Sequence, residues 1–133
     1  SRALGGGALL DVGCYCVNVS RAVTGEEPVK VSAFANYIDA EDGGKVDSSL
    51  AGTLRFPGGA TALFDCGVNL ERRNLLEVVG TAGRLYLDGP FSVLEEDSVL
   101  EEHHFGRDTV RHEVKGANPF VRMAEHFAES VLD

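Results

Sequence analysis

The stretch VDSSLAGTLRFPGGATALFDCGV, residues 46–68, decides the fold class. Val46, Ser48, Leu50, Gly52, Leu54 and Phe56 fall at every second position, the period of a strand whose two faces differ. Pro57-Gly58-Gly59 then reverses the chain, since proline presets one turn position and glycine takes backbone angles that other residues avoid. The alternation resumes with Ala60, Ala62, Phe64 and Cys66 against Thr61, Leu63 and Asp65. Strands joined by so short a connection pair antiparallel, because parallel neighbours need a long crossover.

The same pattern extends in both directions. Upstream, Val29, Val31, Ala33 and Ala35 alternate with Lys30, Ser32, Phe34 and Asn36 and run on to Tyr37 and Ile38. Glu41-Asp42-Gly43-Gly44 follows as a predicted hairpin turn. Downstream, Leu75, Glu77 and Val79 oppose Asn74, Leu76 and Val78, residues 80–83 (GTAG) turn tightly, and residues 84–87 return. Asp88-Gly89-Pro90 breaks the chain. Val93-Leu94, residues 99–103 and residues 109–114 are expected as further strands.

Helices are predicted at the two ends. Ala8, Val12, Tyr15, Val19 and Ala22 form one apolar stripe, with Leu9, Cys16 and Val23 beside it. Thr24-Gly25 ends that helix through the glycine preference for a left-handed cap. Asn118-Pro119 opens the last helix. Its Phe120, Met123, Ala124 and Phe127 are expected to face the sheet, with Val131 extending the stripe. The fold class is therefore α+β: an open, mostly antiparallel β-sheet with helices packed on one face. Leu75-Leu76 and Val78-Val79 make strands apolar on both sides, so the uncovered sheet face is expected to be an interface.

The chain has 133 residues, the size of one domain, and 44% of them are hydrophobic. Its 12 basic and 21 acidic residues leave a formal charge of -9, which argues against a nucleic-acid or anionic-membrane surface. No apolar stretch is long enough for a bilayer span and no signal peptide is read, so a cytoplasmic location is expected. Cys14, Cys16 and Cys66 make neither a disulfide framework nor a zinc motif. They are expected as buried small hydrophobes in a reducing compartment. A start just before a helix, at Ser1, and a stop at the end of another, at Asp133, suggest a piece of a longer protein.

The candidate chemistry lies in the first helix. Asp11 and Tyr15 are at i and i+4, on one helical side. Asp11 is either a capping or ion-paired structural carboxylate, or a group that orients a substrate hydroxyl or a basic partner. Tyr15 is either a core aromatic with a satisfied hydroxyl, or a proton donor and acceptor. With an unperturbed pKa of about 10, a phenol needs a nearby cation to act as a base at neutral pH. Gly5-Gly6-Gly7 lacks the G-x-G-x-x-G spacing of a dinucleotide loop. His103 and His104 are adjacent in a predicted strand and face opposite ways, so they do not share a metal ion with Glu101 and Glu102. His112 and His126 lack a local ligand set, and Arg107, Arg111 and Lys115 read as solvated charge or the wall of a polar pocket.

Three segments together resemble the C-terminal domain of the Gfo/Idh/MocA oxidoreductase family: GGGALLDVGCYCVN (residues 5–18), LRFPGGATALFDC (54–66) and NLLEVVGTAGRLYLDGPF (74–91). The resemblance implies an N-terminal Rossmann domain, outside this sequence, that binds NAD or NADP. It also implies that this chain alone binds no cofactor. The C-terminal domain would contribute to a substrate cavity for a small molecule and pack its open sheet in homo-oligomers. Asp11 would match the family's active-site acid. Tyr15 would match a position held by histidine in many members and by tyrosine in the glucose-fructose oxidoreductase and dimeric dihydrodiol dehydrogenase-like branch. The catalytic lysine of an E-K-P motif would come from the Rossmann domain and lower the phenol's pKa. The implied reaction is hydride transfer between NAD(P) and a sugar, polyol or related hydroxyl or carbonyl compound. The alternative is a non-catalytic ligand-binding or oligomerisation domain that retains the scaffold.

Overall fold

The computed structural model describes residues 6–40, 43–91 and 96–132. Gly5 of the glycine run, Glu41-Asp42 of the predicted hairpin and the predicted Val93-Leu94 strand lie outside these described residues. The chain divides into two compact units, Ser1–Glu71 and Arg72–Asp133.

In the first unit, helix begins at Ala8 and passes through one π-helical turn, Leu9–Gly13, into α1, Cys14–Thr24. Gly25 ends α1 in the left-handed conformation (φ 67°), its N–H donating to the Arg21 carbonyl at 2.8 Å. Strands β1 (Lys30–Asp39), β2 (Lys45–Arg55) and β3 (Thr61–Gly67) follow in antiparallel order β1-β2-β3. The predicted reversal after Phe56 forms: the Phe56 N–H donates to Ala60 at 3.0 Å, and Gly59 donates back to Phe56 at 3.1 Å.

Register explains which face is buried. Leu50 pairs with Ala35 on one side and Cys66 on the other, and Leu54 pairs with Val31 and Ala62. All six therefore share one sheet face. Ala8, Leu50 and Cys66 form the core there, with Leu9, Val12, Ala35 and Phe64 packed against them. Leu54 and Phe56 are also buried. The helix thus covers one face, as the alternation in residues 46–68 predicts. The opposite face carries Phe34 and Leu63, which are 84% and 82% exposed.

One irregularity interrupts this order. Asn36 pairs with Ser49, but Tyr37 pairs with Asp47, so Ser48 is an extra residue in β2. Such a bulge changes the phase of the alternation and re-aims the side chains beyond it. Ser48 is itself buried and its hydroxyl donates to the Asn36 carbonyl at 3.3 Å.

The second unit is a four-stranded antiparallel meander, β4 (Leu75–Val79), β5 (Arg84–Asp88), β6 (Ser98–His103) and β7 (Val110–Val114), in that order. Helix α2, Pro119–Leu132, follows. The Asn118 side-chain oxygen caps it by accepting the N–H groups of Phe120 and Val121 at 3.0 and 3.3 Å. The α+β class and antiparallel pairing are as expected, but the strands form two hydrogen-bonded sheets. Residues 68–74, between β3 and β4, form no strand although Val68 and Leu70 continue the alternation.

Further expectations are corrected: Tyr15 and Ala22 of the stripe predicted in the first helix, and Val23 beside it, are exposed. Phe120, Met123 and Phe127, expected to face a sheet, are 63–70% exposed. Helical spacing identifies an apolar stripe without naming the surface that covers it. Of the three cysteines only Cys66 is buried, while Cys16 is half-buried and Cys14 exposed. Positions 14 and 16 lie two apart on a helix with only one side against the sheet.

Candidate functional site

The helix carrying Asp11 and Tyr15 is seated by two close approaches. Gly7 lies directly against Asp47 of β2, where a Cβ would collide with both the Asp47 carbonyl and its carboxylate. The same carboxylate accepts the Leu9 N–H through Oδ2 at 2.7 Å. That bond satisfies one of the N–H groups a helix start leaves unpaired, and puts negative charge at the positive end of the helix. Six residues further on, a Cβ at Gly13 would stand 2.8 Å from the Cys66 sulfur of β3. Glycine at these two positions lets the helix approach the sheet closely.

Between the two contacts the backbone takes the wider i→i+5 turn, a form concentrated at functional sites. Asp11 lies in that turn and Tyr15 in the first turn of α1. Four residues are about one turn in either geometry, so both groups emerge on one side of the helix. Ala8, Leu9 and Val12 take the side toward the sheet. Asp11 and Tyr15 are both exposed, Tyr15 by 54%. A shallow groove in this unit lies elsewhere, at the far end of α1 among Asn18, Arg21, Ala22, Gly25, Glu26 and Glu27. The Arg21–Glu27 ion pair belongs to that groove.

Two of the neighbouring thiols, Cys16 and Cys66, are partly or fully buried. Burial, then the Asp65 carboxylate, pushes the Cys16 thiol above its ordinary value, and burial does the same to Cys66. Asp65 itself is exposed on the sheet face opposite Cys66.

In the second unit the histidines separate as their alternation requires. His103 bonds Glu101 at 3.3 Å and Thr109 at 3.1 Å. His104 bonds Glu102 at 2.6 Å through Nε2 and the Ala82 carbonyl at 2.7 Å through Nδ1. His112 shares the Glu102 carboxylate at 2.8 Å. These hydrogen bonds hold the Glu102 carboxyl below its ordinary range and raise His104. Arg111 pairs with Glu101 and Lys115 with Asp97, so both cations are engaged on the surface.

Asp47 is the residue that periodicity misses. Strict alternation from Leu50 assigns it to the open face, and only the bulge at Ser48 brings its carboxylate to the helix. No sequence signal marks that bulge. The arrangement also bears on an anionic cofactor. An aspartate already occupies the glycine-rich helix entrance, so this segment does not fit a dinucleotide pyrophosphate.

A family model described as the GFO/IDH/MocA C-terminal domain matches residues 1–86. Human trans-1,2-dihydrobenzene-1,2-diol dehydrogenase is 36% identical over 103 residues, 77% of this chain and 30% of that protein. The aldose-aldose oxidoreductase of Caulobacter crescentus, crystallised with glycerol, superposes on 96% of this chain with a TM-score of 0.81 and 30% identity. It is matched over 38% of its own length. A 3-ketoreductase from Actinomadura kijaniata, solved with TDP-benzene and NADP, shares the fold at a TM-score of 0.78 and 24% identity, over 96% of this chain and 40% of its own. The chain thus spans well under half the length of these relatives.

Proposed function

We propose that this chain, which belongs to the GFO/IDH/MocA family as one of its C-terminal domains, forms the substrate-binding and oligomerisation portion of an oxidoreductase. The reaction is hydride transfer between NAD(P) and a sugar, polyol or related hydroxyl or carbonyl compound. One observation supports the reading: inside the family-matching segment an acid in a π-helical turn and a phenol in the next turn, at the start of α1, are both exposed on one side of the helix. The dinucleotide is held by an N-terminal Rossmann domain, a reading supported by membership in this two-domain family.

Within this division of labour the chain's own residues bind and orient the substrate and manage its proton. Tyr15 presents its hydroxyl to the substrate oxygen and gives or takes the proton there. A lysine from the Rossmann domain would supply the cation that assists this proton exchange. Asp11 accepts a hydrogen bond from a substrate hydroxyl one turn away and fixes its orientation. The exposed Phe34 and Leu63 on the sheet face away from α1 supply an apolar surface for a second subunit. Three free cysteines are in keeping with a cytoplasmic enzyme, and no described helix is long and apolar enough to cross a membrane.

The test is turnover by the full-length protein with NAD or NADP against trans-1,2-dihydrobenzene-1,2-diol and a panel of aldoses and polyols, followed by reduced-cofactor absorbance. Turnover of at least one compound is expected. A folded protein that binds NADP yet oxidises none of them, while still binding sugars, contradicts the enzyme reading.

A further inference from the structure

We propose that Asp47 is a positioning residue for the Asp11–Tyr15 pair, holding the start of their helix in place from the adjoining strand β2. The inference rests on the reading of Asp11 and Tyr15 given above. Four observations converge on it. The bulge at Ser48 shifts the phase of β2 and brings the Asp47 carboxylate to the helix side. That carboxylate accepts the Leu9 N–H at 2.7 Å, two residues before Asp11. Gly7 leaves no room for a side chain between the helix entrance and Asp47, so the spacing is defined by contact on both sides. The Gly7 carbonyl in turn accepts the Asp11 N–H at 3.1 Å, linking the seated glycine to the acid by a single hydrogen bond.

Asp47 therefore acts through the backbone and touches neither reacting group. Loss of its acceptor frees the Leu9 N–H and loosens the helix start, while Ala8 packed against Leu50 and the Gly13–Cys66 contact still hold the helix to the sheet. The π-helical turn between them is the part left to relax, and Asp11 lies in it. Displacements of about 1 Å in such a frame cost up to about a hundredfold in rate. Asparagine retains an oxygen that can accept the same N–H, so the conservative change separates geometry from charge.

The experiment uses the full-length protein and the panel compound it turns over fastest, comparing Asp47→Ala, Asp47→Asn and Tyr15→Phe by steady-state kinetics and amide hydrogen exchange. For Asp47→Ala the expected result is a fall in kcat of about 10- to 100-fold with KM for NADP unchanged. Exchange at residues 8–13 should quicken, and Asp47→Asn should restore both rate and protection. Full activity in Asp47→Ala, alongside a slowed Tyr15→Phe, overturns the positioning role. So does faster exchange throughout the chain with Asp47→Asn no better than Asp47→Ala, since that is the behaviour of a structural cap alone. If Asp47→Ala does not fold, Asp47→Glu carries the same test, because it keeps the acceptor and adds a methylene. Its kcat should fall with KM for NADP unchanged, and an unaltered kcat overturns the proposal. Unchanged turnover in Tyr15→Phe would instead defeat the proton role of Tyr15, whatever exchange shows at residues 8–13.

Discussion

Gly13 and Cys66 lie in direct contact, with a Cβ at Gly13 destined to stand 2.8 Å from the Cys66 sulfur. The contact sets how closely the helix bearing Asp11 and Tyr15 approaches β3. Gly13→Ala is expected to destabilise the protein by about 1–3 kcal/mol, the usual cost of overfilling a packed site. Adding Cys66→Ala should recover part of that loss, because the second change removes the atom in the way. Denaturant unfolding of the two single variants and the double variant measures the coupling. Strict additivity would show that the two residues do not meet.

A second pair of substitutions tests which face of the first sheet is buried. Phe56 is 1% exposed and Leu63 is 82% exposed. Phe56→Ala should cost about 3–5 kcal/mol. Leu63→Ala should stay within about 0.5 kcal/mol in the monomer. A measurable dissociation of oligomers in Leu63→Ala, with unfolding of the monomer unchanged, is the signature expected if the open face is a subunit contact.

The contrast between these residues also marks what was legible in the sequence. Leu50, Leu54 and Phe56 repeat at period two between clear turn residues, so their burial could be read directly. Gly25 likewise announced the end of α1. Asp11 and Tyr15 were legible as neighbours because helix spacing is a local property. Asp47 was not, since a bulge is decided by pairing with a distant strand and by the helix packed above it. The division of the strands into two sheets and the exposure of Phe120 and Phe127 escaped for a related reason. Periodicity says which side of an element is apolar, and tertiary contacts decide what meets it.

The Glu102, His104 and His112 cluster predicts a pH dependence of local stability. Both ring nitrogens of His104 contact acceptors, the Glu102 carboxylate and the Ala82 carbonyl, which favours the protonated ring. Its folded pKa is raised above the ordinary 6.5, chiefly by Glu102, against a smaller opposing effect of Arg107. The contribution is therefore fully present below the unfolded value and lost as pH rises through the folded one. Glu102, lowered from 4.5 by His104 and then His112, contributes above its unfolded value and loses that contribution as pH falls through its folded one. Protection of the Gly80–Gly83 turn amides should be greatest between these limits and weaken on the alkaline side. His104→Asn should flatten the alkaline loss. An unchanged profile would remove the cluster as its cause.

The central claim is that Tyr15 moves the substrate proton during hydride transfer. Its most direct measurement is kcat for Tyr15→Phe in the full-length protein, with NADP binding measured in parallel. The expected result is a fall of about 10²- to 10⁴-fold in kcat with NADP affinity unchanged. A folded Tyr15→Phe variant that turns over at the rate of the unaltered protein would contradict the account.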